Sequence, residues 1–365
     1  MIGGDWQTTL DGAVGTNTLI PHEERIGVFN RIAFDVTPEV TIYGQFSWNR
    51  YKGQAHFGAS PSNFTIQADN AYLLTQYPQV AADMQANALA SIDVNSWNAG
   101  VLPFAGGHNR RQVFRYVAGA KGKFSLLERP WSWDVYYQKG VTKTHEQLVG
   151  TWNTTHMDLA SDAVLSNGQI VCRSTLTDPT NGCVPIDRLG TNGPSAASLA
   201  YIFSPAGEPW REQTIKQDVA SASLSGQLFD LPGGPVAIAL GGEWRKEQVD
   251  GQVGASSSSG WLYGNYKVNR GKINVKEAFL EVALPLFTGF NLNAAGRLTD
   301  YSTSGSVETW KVGATYSPIP DVKFRGTYSH DIRAPNMSEL FLAGQTIGTV
   351  VVLPDDSPAP GQHAE

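Results

Sequence analysis

Long apolar runs are missing from this chain. With 365 residues, 41% of them hydrophobic, and a mean hydropathy of −0.23, no stretch approaches the twenty or so apolar residues that a membrane-crossing helix needs. A helical membrane protein is excluded. A transmembrane β-barrel is not, because its strands alternate apolar and polar residues and average out to mild polarity. Positive charge is also short: the formal net charge is −6, without the basic stripe of a nucleic-acid binder, so no nucleic-acid partner is expected. Cysteine is nearly absent. Cys172 and Cys183 are the whole inventory, in a segment of prolines, asparagines and glycines that lacks the CxxC knuckle and the neighbouring histidines of a zinc site. They could close a small ring in an oxidising compartment or stand as free thiols in a cytosolic loop; the ring is the preferred reading.

Catalytic motifs are equally sparse. His145-Glu146-Gln147-Leu148-Val149 begins like a zinc-protease helix, but Val149 stands where the second histidine ligand belongs. There is no G-x-S-x-G elbow, no P-loop and no dinucleotide fingerprint. The pairs Glu243 with Glu247, and Glu277 with Glu281, have glycosidase-like chemistry. Both fall on the polar face of a strand, where solvation accounts for them. No enzyme activity, metal or cofactor is expected. The opening Met1-Ile2-Gly3-Gly4-Asp5 shows neither the basic nor the apolar section of a secretory signal.

What the chain does have is glycine and aromatic residues, 38 Gly, 13 Tyr and 10 Trp, spread over segments with a period of two. In the stretch from Phe290 to Phe341, Phe290, Leu292, Ala294, Gly296 and Leu298 share one face, and Asn291, Asn293, Ala295, Arg297 and Thr299 the other. The pattern repeats with Trp310, Val312, Ala314 and Tyr316 against Thr309, Lys311, Gly313 and Thr315. It restarts behind Pro318-Ile319-Pro320-Asp321 with Val322, Phe324, Gly326 and Tyr328. A soluble sandwich would bury that apolar face against a second sheet; a membrane barrel would show it to lipid. Similar strands are expected at Arg25–Val36, after Val40, over Arg111–Phe124, from Trp131, through a hairpin from Gln213 to Asp250, and over Lys272–Phe287, about ten in all. Within the segment after Tyr51, Asn70–Ala90 has helical spacing.

The connections alternate short and long. Short turns are expected at Pro38, Pro130, Pro232–Pro235, Gly289 and Pro318–Pro320, and long loops at 52–110, 143–211 (with both cysteines) and 251–271. Outer-membrane barrels put short turns in the periplasm and long loops outside, which orients the chain.

The words RLTDYSTSGSVETWKVGATYSPIPDVKFRGTYSHDIRAPNMSELF, with Ile332-Arg333-Ala334-Pro335-Asn336 and Glu339-Leu340-Phe341 as their most specific part, resemble the late-barrel region of TonB-dependent receptors. A second resemblance runs from Val171-Cys172-Arg173-Ser174-Thr175-Leu176 to Gly182-Cys183-Val184-Pro185. The resemblance implies an all-β fold, an antiparallel transmembrane β-barrel of which this chain is a part, about ten strands of a plugged barrel of about 22. It also implies the outer membrane of a Gram-negative bacterium, with outer-membrane lipid as partner. A TonB complex is a further implied partner, acting through a plug domain that is not found in this sequence. The implied activity is energised uptake of a scarce nutrient such as a ferric siderophore, or of an oligosaccharide. A passive porin-like channel and a secreted β-rich carbohydrate-binding protein are the alternatives. The chain is read as an internal fragment, since Glu365 replaces the terminal aromatic typical of such barrels.

Ligand chemistry is expected where the polar strand faces meet the long loops. This selects Arg111, Glu247, Arg333 and Asn336, together with Asn49, Arg115 and Tyr301, and the loop aromatics Trp97, Trp152, Trp261 and Tyr263. Aromatics offer contact area at low entropy cost, and arginine grips carboxylates or sugars in forked geometry. Arg333–Asn336 has a competing role in shaping a strand exit, because the residue before Pro335 is pushed to extended geometry. Trp131, Trp133 and Trp310 are assigned to an aromatic girdle on the lipid face.

Overall fold

The structure, a computed structural model, describes residues 17–343 apart from 59, 61, 97–101, 190–192 and 204–206. Ten long strands form one antiparallel sheet in simple up-and-down order: β1 (His22–Thr37), β2 (Val40–Gly58), β5 (Ala105–Leu126), β6 (Arg129–Val149), β9 (Trp210–Leu231), β10 (Gly234–Val253), β11 (Gly271–Phe287), β12 (Phe290–Tyr301), β13 (Gly305–Ile319) and β14 (Val322–His330). Each strand pairs with its neighbour in sequence. Among the described residues β1 pairs only with β2 and β14 only with β13, so the sheet is open at both edges.

One end of the sheet carries two-residue turns, at 38–39, 127–128, 232–233, 288–289 and 320–321. At 127–128 both residues are left-handed, Leu127 with φ 53° and Glu128 with φ 61°, the geometry whose twist matches a tight hairpin. The other end carries the long connections and one short turn at 302–304. Strands reach further into the long connections than alternation suggests: β2 runs to Gly58 and β5 starts at Ala105, leaving 59–104 between them. Likewise 150–209 and 254–270 separate the next pairs. In these extensions the face that was oily turns polar, as at Lys52, Gln54, Arg110 and His108. Ladder hydrogen bonds continue there although the oily alternation has stopped.

Register decides what each face carries. One row runs Val40, Gly122, Trp133, Leu224, Leu240, Leu280, Gly296, Trp310 across eight strands. It is apolar throughout, and large members of that face stand open, with Leu240 at 38%, Leu280 at 47% and Phe324 at 61% exposure. So continuous an apolar surface belongs against lipid or another protein. On the opposite face a row reads Ser47, Arg115, Gly140, Gln217, Glu247. Trp131, Trp133 and Trp310 stand on the apolar face, as the alternation requires, and Asn49, Arg111, Arg115, Glu247 and Tyr301 on the polar one.

The compact cores lie in the loops. The 59–104 loop holds a hairpin of β3 (Ser62–Gln67) and β4 (Ser91–Ser96) and the helices α1 (Ala71–Gln76) and α2 (Pro78–Ala86). Asn70 starts α1 by accepting from the amides of Tyr72 at 3.0 Å and Leu73 at 3.3 Å, and Pro78, which needs no amide partner, starts α2. The helical spacing at Asn70–Ala90 therefore yields two helices, not one. The 150–209 loop holds α3 (Thr154–Ser161), the hairpin β7 (Ala163–Ser166) and β8 (Gln169–Cys172), and α4 (Ala196–Phe203). A last helix, α5 (Met337–Phe341), follows β14.

Candidate functional site

A belt of hydrogen bonds crosses the polar face of the sheet below the loops. Arg115 donates from Nε to Gln138 Oε1 at 2.7 Å and from Nη1 to Gln45 Oε1 at 3.2 Å. Gln138 donates to Gln217 and Gln217 to Glu247, each at 2.9 Å. Arg245 then sits among three carboxylates, 3.4 Å from Glu243, 3.6 Å from Glu247 and 3.8 Å from Glu277, and Arg297 reaches Glu277 at 3.1 Å. Seven strands from β2 to β12 are thus linked by side chains. The carboxylate pairs noted in the sequence are resolved by register: Glu243 and Glu277 are cross-strand partners around one guanidinium. That contact offsets their mutual repulsion. The two halves of the belt differ: Arg245 and Arg297 face carboxylates, whereas Arg115 is held by two neutral amides and keeps its full charge available.

Nearer the loops, Tyr51, Arg111, Thr144 and Gln213 form the next polar-face row but one, and Arg111 is exposed there. Above it Arg211 pairs with Glu146 at 2.7 Å and lies 5.2 Å from the Tyr266 ring. Burial and the charge of Glu146 push the Tyr266 phenol up to about 12, so it stays a hydrogen-bond donor.

Over this mouth the three loops form one body. The first and second are joined by Arg173, which binds Asp69 at 2.6 and 3.0 Å while its Nε holds Asp162 at 3.0 Å. Asn70 donates to the Ser161 carbonyl at 3.0 Å, and Gln76 to Asp187 at 2.6 Å. Arg188 stacks 3.6 Å over the Phe64 ring and donates to Ser62 at 2.6 Å; burial pulls its guanidinium down to about 10. The same enclosure holds the nearby Asp158 carboxyl above its ordinary range. The second and third loops are joined by the backbone: Thr154 N to Gly260 O at 2.8 Å and Leu262 N to Trp152 O at 3.0 Å, with Thr151 Oγ1 pinning both polar groups of the Tyr263 backbone. A disulfide between Cys172 and Cys183, with Cα atoms 6.2 Å apart, staples the second loop. Cys183 packs on a core of Leu102, Trp152, Met157, Ala160, Ile186 and Ile202.

The expected ligand residues therefore separate. Arg111 and Glu247 lie on the polar face beneath the loops, and Tyr263 is exposed at 41%. Trp152 and Trp261 are each 3% exposed: Trp152 meets Phe203 edge-on at 6.1 Å, and Trp261 donates its indole N–H to Ser256 O at 2.7 Å. Rings enclosed in this way build the loop body and offer no open face to a ligand. Trp97 lies outside the described residues. Asn336 caps α5, accepting from Glu339 N at 3.0 Å while the Glu339 carboxylate accepts from Asn336 N at 2.8 Å, and Arg333 pairs with that same carboxylate. This word of the sequence is a reciprocal cap. It starts a helix that alternation did not reveal. That helix brings the Phe341 ring onto Gly271, on the polar face at the mouth, where an added Cβ would stand 2.2 Å from the ring. Arg115 and its glutamines were visible singly as polar-face residues; only register joins them.

Residues 29–359 match the family model described as TonB dependent receptor-like, beta-barrel. No curated protein matches the chain. Among solved structures, two variants of the ferric enterobactin receptor PfeA from Pseudomonas aeruginosa each superpose with a TM-score of 0.50 over 87% of this chain and 34% of theirs, at 13% and 14% identity. The siderophore receptor PirA from the same organism matches at 12% identity over 87% of this chain and 40% of its own, with a TM-score of 0.38. At such identities the PfeA likeness shows the fold. This chain spans about a third of the PfeA length.

Proposed function

Because this chain belongs to the TonB-dependent receptor β-barrel family, we propose that the complete protein captures a scarce nutrient outside the cell and imports it with energy relayed by a TonB complex through a plug domain. The barrel lies in the outer membrane of a Gram-negative bacterium, with its apolar face toward lipid and its polar face toward the lumen. The loop body stands on the extracellular side, over the lumenal mouth. Its ligand is an anionic or oxygen-rich small molecule, of the ferric siderophore kind, held beneath the loops by Arg111 and Arg115. One observation carries this reading: Arg115 is fixed in place by two neutral glutamines, so a cation is oriented into the lumen, and among the described residues no carboxylate pairs with it. Arginine in that situation suits carboxylate or catecholate oxygens.

The test is equilibrium binding to the full-length receptor, wild type against Arg111→Ala and Arg115→Ala, with a ferric siderophore and a neutral oligosaccharide over a salt series. Losses of about 1–3 kcal/mol for the siderophore that shrink as salt rises are expected. Unchanged affinity in both variants would move the ligand elsewhere. Uptake that continues after collapse of the inner-membrane proton gradient would replace the energised receptor by a passive channel.

A further inference from the structure

The belt of hydrogen bonds below the loops has a gap in it. On the polar face Gly140 stands between Arg115 on β5 and Gln217 on β9, as the cross-strand partner of both. With no side chain at that point, β6 leaves a recess. The recess is open: a Cβ added to Gly140 would meet only ordinary contacts, the nearest with Gln217 Cβ at 3.7 Å. On the same face of β6, Gln138 forms the floor two residues before Gly140, and Thr142 follows two residues after it, toward the loops. Arg115 and Gln217 lie two strands apart, so the recess is roughly 10 Å across, twice the strand spacing. That leaves room for one carboxylate-sized group or the edge of one ring.

The hydrogen bonds around the recess run in one direction. Arg115 can only donate, and the Glu247 carboxylate at the far end can only accept. Between them Gln138 turns its oxygen to Arg115 Nε at 2.7 Å and its amide nitrogen to Gln217 Oε1 at 2.9 Å, and Gln217 gives its own N–H to Glu247 Oε1 at 2.9 Å. Reversing Gln138 would set its NH2 against the guanidinium, and reversing Gln217 would set its oxygen against the carboxylate. The two ends therefore fix both amides. Each amide oxygen in the chain already accepts a hydrogen, whereas each NH2 spends only one of its two hydrogens there. Arg115 likewise has N–H groups beyond the two it gives to Gln138 and Gln45. Arg115 is exposed, and Gln138, Gly140 and Gln217 are half-buried, so an open recess is framed by groups with hydrogens left to give.

We propose that this recess anchors one oxyanion group of the ligand, a carboxylate or a pair of metal-bound oxygens, between Arg115 on one side and the amides of Gln138 and Gln217 on the other. The proposal rests on the lumenal ligand site argued above and adds to it the residues that choose the form of the ligand. Oxygens bound to a metal carry no hydrogen. The same oxygens in the metal-free chelator carry one, as do the hydroxyls of a sugar. A hydroxyl hydrogen brought into the recess would find amide oxygens that already accept, and an enclosed donor left without a partner is costly. Gln138 and Gln217 are thus specificity-determining residues that favour the metal-loaded ligand over the metal-free one, and Gly140 makes the room for it.

The test uses the full-length receptor in detergent, with a ferric tricatecholate, a ferric trihydroxamate and a ferric polycarboxylate as probes, each also in its iron-free form. Equilibrium binding is measured for wild type, Gly140→Val, Gly140→Ala, Gln217→Met and a lumenal control away from the recess, Ala295→Val. Heat-modified gel mobility shows that each variant is folded, and Gly140→Ala, for which the 3.7 Å clearance leaves space, covers the case in which valine disturbs the sheet. For the chelate that wild type binds most tightly, Gly140→Val should lose about tenfold or more, since its side chain fills the recess, and Gly140→Ala should lose less. Gln217→Met should lose about fivefold for the iron-loaded form, the size of one hydrogen bond, and less for the iron-free form. Ala295→Val should lose nothing. Wild-type affinity in both Gly140 variants, or an equal loss of the two ligand forms in Gln217→Met, would overturn the proposal. If Arg111→Ala and Arg115→Ala still weaken binding in that case, the lumenal site stands and only the recess is wrong. If no chelate binds wild type, or neither arginine variant loses affinity, both readings fall together.

Discussion

Arg173 grips Asp69 with two hydrogen bonds, 2.6 and 3.0 Å long, across 104 positions of sequence. This fork ties the first long loop to the second, next to the disulfide at Cys172. The contact holds the Asp69 carboxyl below its ordinary range, chiefly through the hydrogen bonds from Arg173. A carboxyl so depressed adds stability that is present above the ordinary carboxylate pKa of about 4 and fades as pH falls through the lower folded value. Asp69 is more than half exposed, so solvent screening limits the effect to about 1 kcal/mol or less. Asp69→Asn should loosen the loop junction at neutral pH and leave little further change on acidification below about pH 4. Hydrogen exchange at the junction, compared at two pH values, checks this; protection that falls equally with acid in wild type and variant would refute it.

Removal of the disulfide should act locally. In the chain-entropy account a ring closed over 11 positions is worth roughly 3 kcal/mol, and this one lies in the loops, clear of the sheet. Cys172→Ala with Cys183→Ala should raise exchange across β7 and β8 strongly while the thermal midpoint of the barrel moves little. A fall in both together would show that the loop body supports the barrel.

Charge placed on the two faces of one strand should have unequal effects. Leu240 lies mid-strand on the apolar face, and Ala239 is turned to the lumen. Leu240→Lys should cost about 2–4 kcal/mol in lipid, and Ala239→Lys much less. Gly241, although lumenal, is a poor control, because an added Cβ would meet Phe279 at 2.6 Å and the Ala222 carbonyl at 2.7 Å. Equal tolerance at 239 and 240 in urea unfolding from bilayers would contradict the lipid-facing assignment.

The glycine under Phe341 offers a fourth handle. Gly271→Ala puts a methyl where the ring stands, and overpacking of that kind costs about 1–3 kcal/mol. The segment from Asn336 to Ala343 should detach from the mouth and become sensitive to protease, with β11 still paired to β10 and β12. A variant in which that segment resists cleavage as well as wild type does would show that the ring has room to move.

The strands and their faces were legible in the sequence because both follow from a period of two. Leu292 and Asn293 must point to opposite sides wherever the strand lies, and an apolar face bounded by Trp310 and Tyr316 can be read without knowing its neighbours. Turns at Pro38, Gly289 and Pro320 were equally local, set by the backbone preferences of a few residues. Loop aromatics carry no such rule. Trp152 and Trp261 have the composition of a binding surface, and whether a tryptophan meets ligand or core depends on what is brought against it from elsewhere in the chain. Here Phe203 and Ser256 do so, and the two rings are enclosed. The same holds for Arg115, Gln138, Gln217 and Glu247: each is polar and faces the lumen by alternation alone, but a shift of one residue in any pairing would turn that strand's side chain to lipid and break the belt. Register is fixed by cooperative pairing of whole strands, up to 22 residues long, and that only the folded sheet decides.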